Sequence, residues 1–225
     1  MATRKANRAA YWGNRSDGDR VEPVAKPDFH PSFTFEKGEQ IFTIGSCFAR
    51  NVEHYLAERG FKIPTFELMK DPLFADLGRS ILDNYGVPSI YNELSWAFDP
   101  ARPFIPSEHL LEVKSGKFID LHLPPHLDPV SWDLALTRRT AIRRITNLAA
   151  DCRVIIITLG LVEVWFDTLT GYYLNDTVRP TLMRLHPGRF ELHVLSYEET
   201  LGYLDRALLL LRDHALLRLS GRCGN

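Results

Sequence analysis

The chain has 225 residues, 45% hydrophobic and 24% charged, with a formal charge of -1. That length supports one sizeable core and leaves little room for two independent enzyme domains. Acidic and basic residues are interspersed, so no strong field draws the protein to nucleic acid or an anionic membrane, and a small or neutral substrate is the expected partner.

Cys47, Cys152 and Cys223 are an odd set without metal-type spacing, which argues against a disulfide framework and a zinc site. The basic residues between Met1 and Arg20 are followed by no apolar run, and no window approaches the ~20 apolar residues of a membrane span. A cytoplasmic protein is expected.

Residues 1–38 are polar and broken by Pro23, Pro27 and Pro31, and read as an irregular arm before a domain over 39–225. Ile41-Phe42-Thr43-Ile44-Gly45 is a β-branched and aromatic run suited to a strand buried on both faces. From Cys47 a helix is predicted, with Ala49, Val52, Tyr55 and Leu56 inward and Gly60 as its stop. In the proline-rich segment 61–105 the strongest helical stretch is Ala75 to Asn84. A hairpin follows at Leu110–Leu123 around Ser115-Gly116, and then an amphipathic helix over Trp132–Ala150. Residues 153–160 form a second buried strand ending at Gly160, and 161–195 read as short strands with turns at Asn175-Asp176 and Pro187-Gly188. Ser196 and Glu199 form a capping box that opens a Leu-rich helix.

Strand, helix and strand in this order indicate a parallel α/β sheet, whose ligands bind beyond the carboxyl ends of the strands. Ser46 and Gly160 both lie there. A hydroxyl at the first turn of a helix can attack an acyl carbon while the unpaired N–H groups stabilise the oxyanion, given a base to take its proton. Serine is equally a preferred N-cap, so spacing leaves both readings open. Cys47 could be a nucleophile of lowered pKa or a small buried residue.

Gly45-Ser46-Cys47-Phe48-Ala49, then Asn84-Tyr85-Gly86, then Thr158-Leu159-Gly160-Leu161-Val162-Glu163-Val164-Trp165, occur in the order of the GSCFA family's blocks. With His186-Pro187, the resemblance spans about residues 20–212. GSCFA domains resemble the SGNH, or GDSL-like, hydrolases. The resemblance implies an α/β, SGNH-hydrolase-like three-layer α/β/α fold with a parallel sheet, and a serine hydrolase or transacylase acting on an ester, such as an acylated carbohydrate. Ser46 would be the nucleophile, the N–H groups of Ser46 and Gly86 the oxyanion donors, and no cofactor or metal would be needed. Asn84, Gly160, Glu163 and Trp165 are further site candidates, with Trp165 equally suited to the core.

Two departures weigh against activity. Where the wider superfamily has Gly-x-Asn-Asp, this chain has Gly160-Leu161-Val162-Glu163, so the Asn oxyanion donor is replaced by Val162. No Asp-x-x-His occurs, and none of the eight histidines has that context. The residues after Arg212 lack the family's next β-branched strand, so a chain truncated or frame-shifted before its general base is expected. A non-catalytic binding domain or inactive fragment is the alternative reading.

Overall fold

The computed structural model describes residues 30–74 and 77–222, with side chains as far as His214. Most of the expected arm, and part of the expected Ala75–Asn84 helix, lie outside the described residues.

The first strand, β1 (Ile41–Gly45), is buried along its whole length, as its unbroken apolar run requires. It pairs in parallel with β4 (Val154–Thr158), from Ile41 opposite Val154 to Gly45 opposite Thr158. Lys62 and Asp83 bridge Gln40 and Gly45 in parallel, so β1 is interior, with β4 on one edge and these two segments on the other. The result is a mixed α/β structure built on a small parallel sheet.

Helix α1 (Cys47–Glu58) follows β1, and α2 (Pro64–Met69) follows the Lys62 bridge. The expected Ala75–Asn84 helix is reduced over its described part to one 3-10 turn, Arg79–Leu82, from which the backbone emerges extended at Asp83. The strongest helix of this region is instead α3 (Val87–Phe98), buried except at Ala97. Its polar residues Ser89, Asn92, Glu93 and Ser95 are all buried, so the segment has no polar stripe to reveal helical periodicity. Gly86 precedes it as N-cap and Pro88 occupies its first turn, where a missing N–H costs nothing.

A short helix α4 (Pro106–His109) leads into the expected hairpin, β2 (Leu110–Lys114) with β3 (Lys117–Asp120). Helix α5 (Trp132–Asn147) is capped by Ser131, whose hydroxyl accepts from Leu134 N at 3.3 Å, and it buries Ala135, Ile142 and Ile145. The core packs Phe42 and Ile44 of β1 against Ile90 and Leu94 of α3, Ile142 and Ile145 of α5, and Leu211 of α7 (Tyr197–Arg222). The capping box opens α7 as expected: Glu199 N donates to Ser196 Oγ at 3.1 Å and Ser196 N to Glu199 Oε2 at 2.7 Å.

Segment 163–194 forms a separate antiparallel sheet of β5 (Glu163–Asp167), β6 (Tyr172–Tyr173) and β7 (Phe190–Val194), in the order β6-β5-β7. Between β6 and β7 lies α6 (Pro180–Leu185). Leu121, Leu174, Val178, Leu182 and Phe190 form a second, smaller cluster here. Among the described residues, no helix is long and apolar enough to cross a membrane.

Candidate active site

Gly45 ends β1 with φ of +141°, which L side chains rarely adopt. A Cβ at Gly45 would also collide with the backbone carbonyl and hydroxyl of Thr158 on the adjacent strand. Strand pairing therefore runs to the end of β1 and the chain turns at once into α1, with Ser46 at the N-cap.

Ser46 is 3% exposed, and its backbone is extended, as an N-cap requires. A capping serine accepts an N–H of the first turn through its hydroxyl. Here Oγ makes no such bond and has no hydrogen-bond partner among the described residues, while Ala49 N donates at 2.8 Å to the Ser46 carbonyl. The hydroxyl is thus held at the positive end of a twelve-residue helix without being consumed as its cap.

Two other segments close on Ser46. A Cβ at Gly160 would lie 3.3 Å from Ser46 Cβ and 2.6 Å from the Tyr85 carbonyl, so glycine permits the meeting of the loops after β1, after β4 and before α3. Loop 83–86 is anchored by Asn84 N donating to Gly45 O and Leu161 N donating to Tyr85 O, both at 2.8 Å. Asn175 clamps the same loop across 90 residues of sequence: Oδ1 accepts Tyr85 N at 3.0 Å and Nδ2 donates to Asp83 O at 2.6 Å. The chain bends at Asn175-Asp176, where a turn is expected, and Asn175 is in addition a buried brace of the site.

Beneath the loop lies a buried charged cluster that the apolar pattern concealed. Arg50 and Glu53 face inward on α1, while Tyr55, assigned to the inner face by periodicity, is exposed. Arg50 pairs with Glu53 at 2.9 Å, and its Nε stands 3.6 Å from Asp83 Oδ1, an ion-pair distance too long for a hydrogen bond. Glu53 Oε1 accepts from Thr65 at 2.7 Å and from the Thr43 hydroxyl. Arg50 and Glu53 in an i,i+3 relation are the one sequence signal of this cluster. Burial pushes the Asp83 carboxyl above its usual range, against the opposing pull of Arg50. Tyr85 OH donates to Asp83 Oδ2 at 3.2 Å, and burial first, then the Asp83 charge, pushes its phenol up to about 12. Tyr85 is therefore a hydrogen-bond donor at neutral pH and no base.

From β1 through the Ser46 turn, the Asn84–Gly86 loop, Gly160 and α7, residues 40–217 match the model of the GSCFA family. The chain belongs to the GSCFA family. Comparisons with curated proteins and with solved structures gave no match.

Of the GSCFA site candidates, Ser46, Asn84, Gly86 and Gly160 lie on these converging segments. The Asn84 side chain turns back locally, Nδ2 donating to Leu82 O at 3.3 Å. Glu163 is exposed at the start of β5, opposite Val194, and Trp165 packs against the second apolar cluster, in agreement with its core reading. Four apolar side chains close in sequence to Ser46 or Gly160 are exposed: Phe48, Leu159, Leu161 and Val162.

No histidine reaches Ser46 Oγ among the described residues. His54 pairs with Glu58 at 3.0 Å and faces solvent, and His193 lies between Tyr173 OH at 3.0 Å and Glu191 at 3.2 Å. His109 and His122 are buried against each other, His122 Nε2 3.1 Å from His109 Nδ1. Burial, followed by the nearby Arg139 charge, lowers His109 to about 4. Among the described residues no group of three or more His, Cys, Asp or Glu is placed to hold a metal ion.

Proposed function

We propose that this GSCFA domain is a serine acyl-transfer enzyme of the SGNH-like kind, an ester hydrolase or transacylase with Ser46 as nucleophile. The observation that carries this reading is the Ser46 hydroxyl: buried, without a hydrogen-bond partner among the described residues, and left out of the capping role that serine ordinarily takes at a helix start. An interior first strand closed by Gly45, with parallel neighbours on both edges, supports an SGNH-like arrangement of the sheet.

In this mechanism Ser46 Oγ attacks the acyl carbonyl as its proton passes to solvent water, and the N–H groups of Ser46 and Gly86 hold the oxyanion. Collapse of the tetrahedral intermediate expels the protonated alcohol. Water or an acceptor alcohol then attacks the acyl-Ser46 ester, releasing the acid or the new ester and restoring the hydroxyl. The exposed Phe48, Leu159, Leu161 and Val162 favour an apolar acyl group, and the alcohol side fits a small molecule or carbohydrate. With no imidazole bonded to Ser46 Oγ, turnover is expected to be on the order of 10⁴–10⁶-fold below that of a complete triad. The chemistry calls on no cofactor.

A binding domain of the same ancestry is the second reading, favoured by the absent imidazole and by Val162 at the position of an oxyanion donor. Hydrolysis of p-nitrophenyl acetate separates the two. The enzyme reading expects release of nitrophenol above buffer that is lost in Ser46→Ala. An unchanged rate in Ser46→Ala overturns it.

A further inference from the structure

Strand β4 ends on a side chain whose chemistry its neighbours do not explain. Val154, Ile155, Ile156 and Ile157 are apolar and β-branched, and the fifth residue, Thr158, keeps that branched shape with a hydroxyl in place of one methyl. Valine would fill the same space and suits a strand equally well. Thr158 as a whole is half-buried, but its Oγ1 is fully buried and has no hydrogen-bond partner among the described residues. Such a hydroxyl weakens the fold instead of holding it.

Its position gives it a use. Thr158 stands opposite Gly45 in the β1–β4 register, and a Cβ on Gly45 would lie 2.3 Å from Thr158 Oγ1, so that oxygen packs against the backbone immediately before Ser46. Two residues further along, Gly160 takes up the contact, since a Cβ there would lie 3.3 Å from Ser46 Cβ. Thr158 and Gly160 thus meet Gly45 and Ser46 in turn. Two buried hydroxyls are brought to the ends of adjacent strands, and neither bonds the other or any other described group. When Ser46 attacks an acyl carbon, the former carbonyl oxygen takes on negative charge one bond from that carbon. A neutral hydroxyl with no acceptor to give up is suited to that charge.

The geometry points to Thr158 as a further catalytic residue of acyl transfer, its hydroxyl donating to the oxyanion beside the N–H groups of Ser46 and Gly86. This role rests on Ser46 as nucleophile. Thr158 keeps its proton throughout: it donates a hydrogen bond as the carbonyl π pair moves onto oxygen, and that bond weakens when the pair returns and the alcohol leaves.

Thr158→Val removes the hydroxyl and keeps the shape, while Thr158→Ser keeps the hydroxyl. Both are compared with wild type in p-nitrophenyl acetate hydrolysis and in the rate of fluorophosphonate labelling at Ser46. Thr158→Val should lower kcat and the labelling rate about 100-fold with KM unchanged, the pattern of a contact made only in the transition state. Its Tm should equal or exceed that of wild type, because an unmet buried hydroxyl is gone. Thr158→Ser should stay within about five-fold of wild type in both rates. If the valine variant does not fold, Thr158→Ala against Thr158→Ser makes the same comparison. A labelled wild type matched by Thr158→Val, or a serine variant no better than the valine one, overturns this role and leaves Ser46 standing. A folded wild type that takes no label overturns the Ser46 reading and this role together.

Discussion

The Asn175 clamp makes the sharpest prediction about how the site is held. Asn175→Ala removes an acceptor from Tyr85 N and a donor from Asp83 O in one step, and alanine fills neither place. The Asp83 end is buried and the Tyr85 end part-buried, so the two orphaned groups fall at the upper and lower parts of the ~1–3 kcal/mol cost of an unmet buried polar group. Together they predict a loss of about 3 kcal/mol. For a chain of this length that corresponds to a drop in Tm of about 9 °C. Asn175→Asp keeps an acceptor for Tyr85 but turns an oxygen on the Asp83 carbonyl, so at neutral pH it should gain nothing over alanine. Urea unfolding measures the loss as a shifted midpoint at constant slope, and hydrogen exchange should show faster exchange of the Tyr85 amide in both variants. A loss under about 1 kcal/mol, or unchanged Tyr85 exchange, refutes the idea that Asn175 braces loop 83–86.

Arg139 joins Glu93 and Asp120 in the interior, and Arg139→Met should destabilise by about 3–5 kcal/mol by stranding two buried carboxylates, read by the same urea titration. Gly160→Ala places a methyl 2.6 Å from the Tyr85 carbonyl, with an expected cost of about 1–3 kcal/mol, whereas Gly45→Ala meets both the Thr158 backbone and a positive φ and should cost more. Thermal unfolding of the two variants checks the order. NMR titration of imidazole signals should find His109 neutral at pH 5 and protonating near pH 4. Because its folded-state pKa is depressed below the unfolded value near 6.5, the unfolded chain binds the proton first, so the contribution of His109 to stability is full above pH 6.5 and is lost as pH falls toward 4. A His109 signal that titrates near 6.5 contradicts the buried neutral pair.

The parts of this fold legible in the sequence are those whose chemistry is local. The Ile41–Gly45 and Val154–Thr158 runs, the Ser115-Gly116 hairpin and the Ser196/Glu199 box each announce themselves within a few residues, and each forms, although the Val154–Thr158 strand, expected to be buried, is only half-buried along its length. Helix α3 escaped because burial on every side removes the amphipathic signal, and its buried Glu93 is compensated by Arg139, 46 residues away. The inner face of α1 departs from the apolar periodicity for a related reason. Arg50 and Glu53 are tolerated inside only because Asp83, Thr43 and Thr65 meet them, and those partners come from other elements. At the site, the turn glycine and Ser46 could be located from a strand ending at a helix start. That Ser46 Oγ lacks a capping bond, and that Asn175 binds loop 83–86, depend on tertiary geometry and leave no local trace.

Reaction with a fluorophosphonate, followed by peptide mapping, tests the role of Ser46 most directly, because the reagent reports a nucleophile even where turnover is slow. The account predicts a single adduct on the peptide containing Ser46, absent in Ser46→Ala. A folded wild-type chain that takes up no label, or one labelled elsewhere to the same extent in Ser46→Ala, would contradict it.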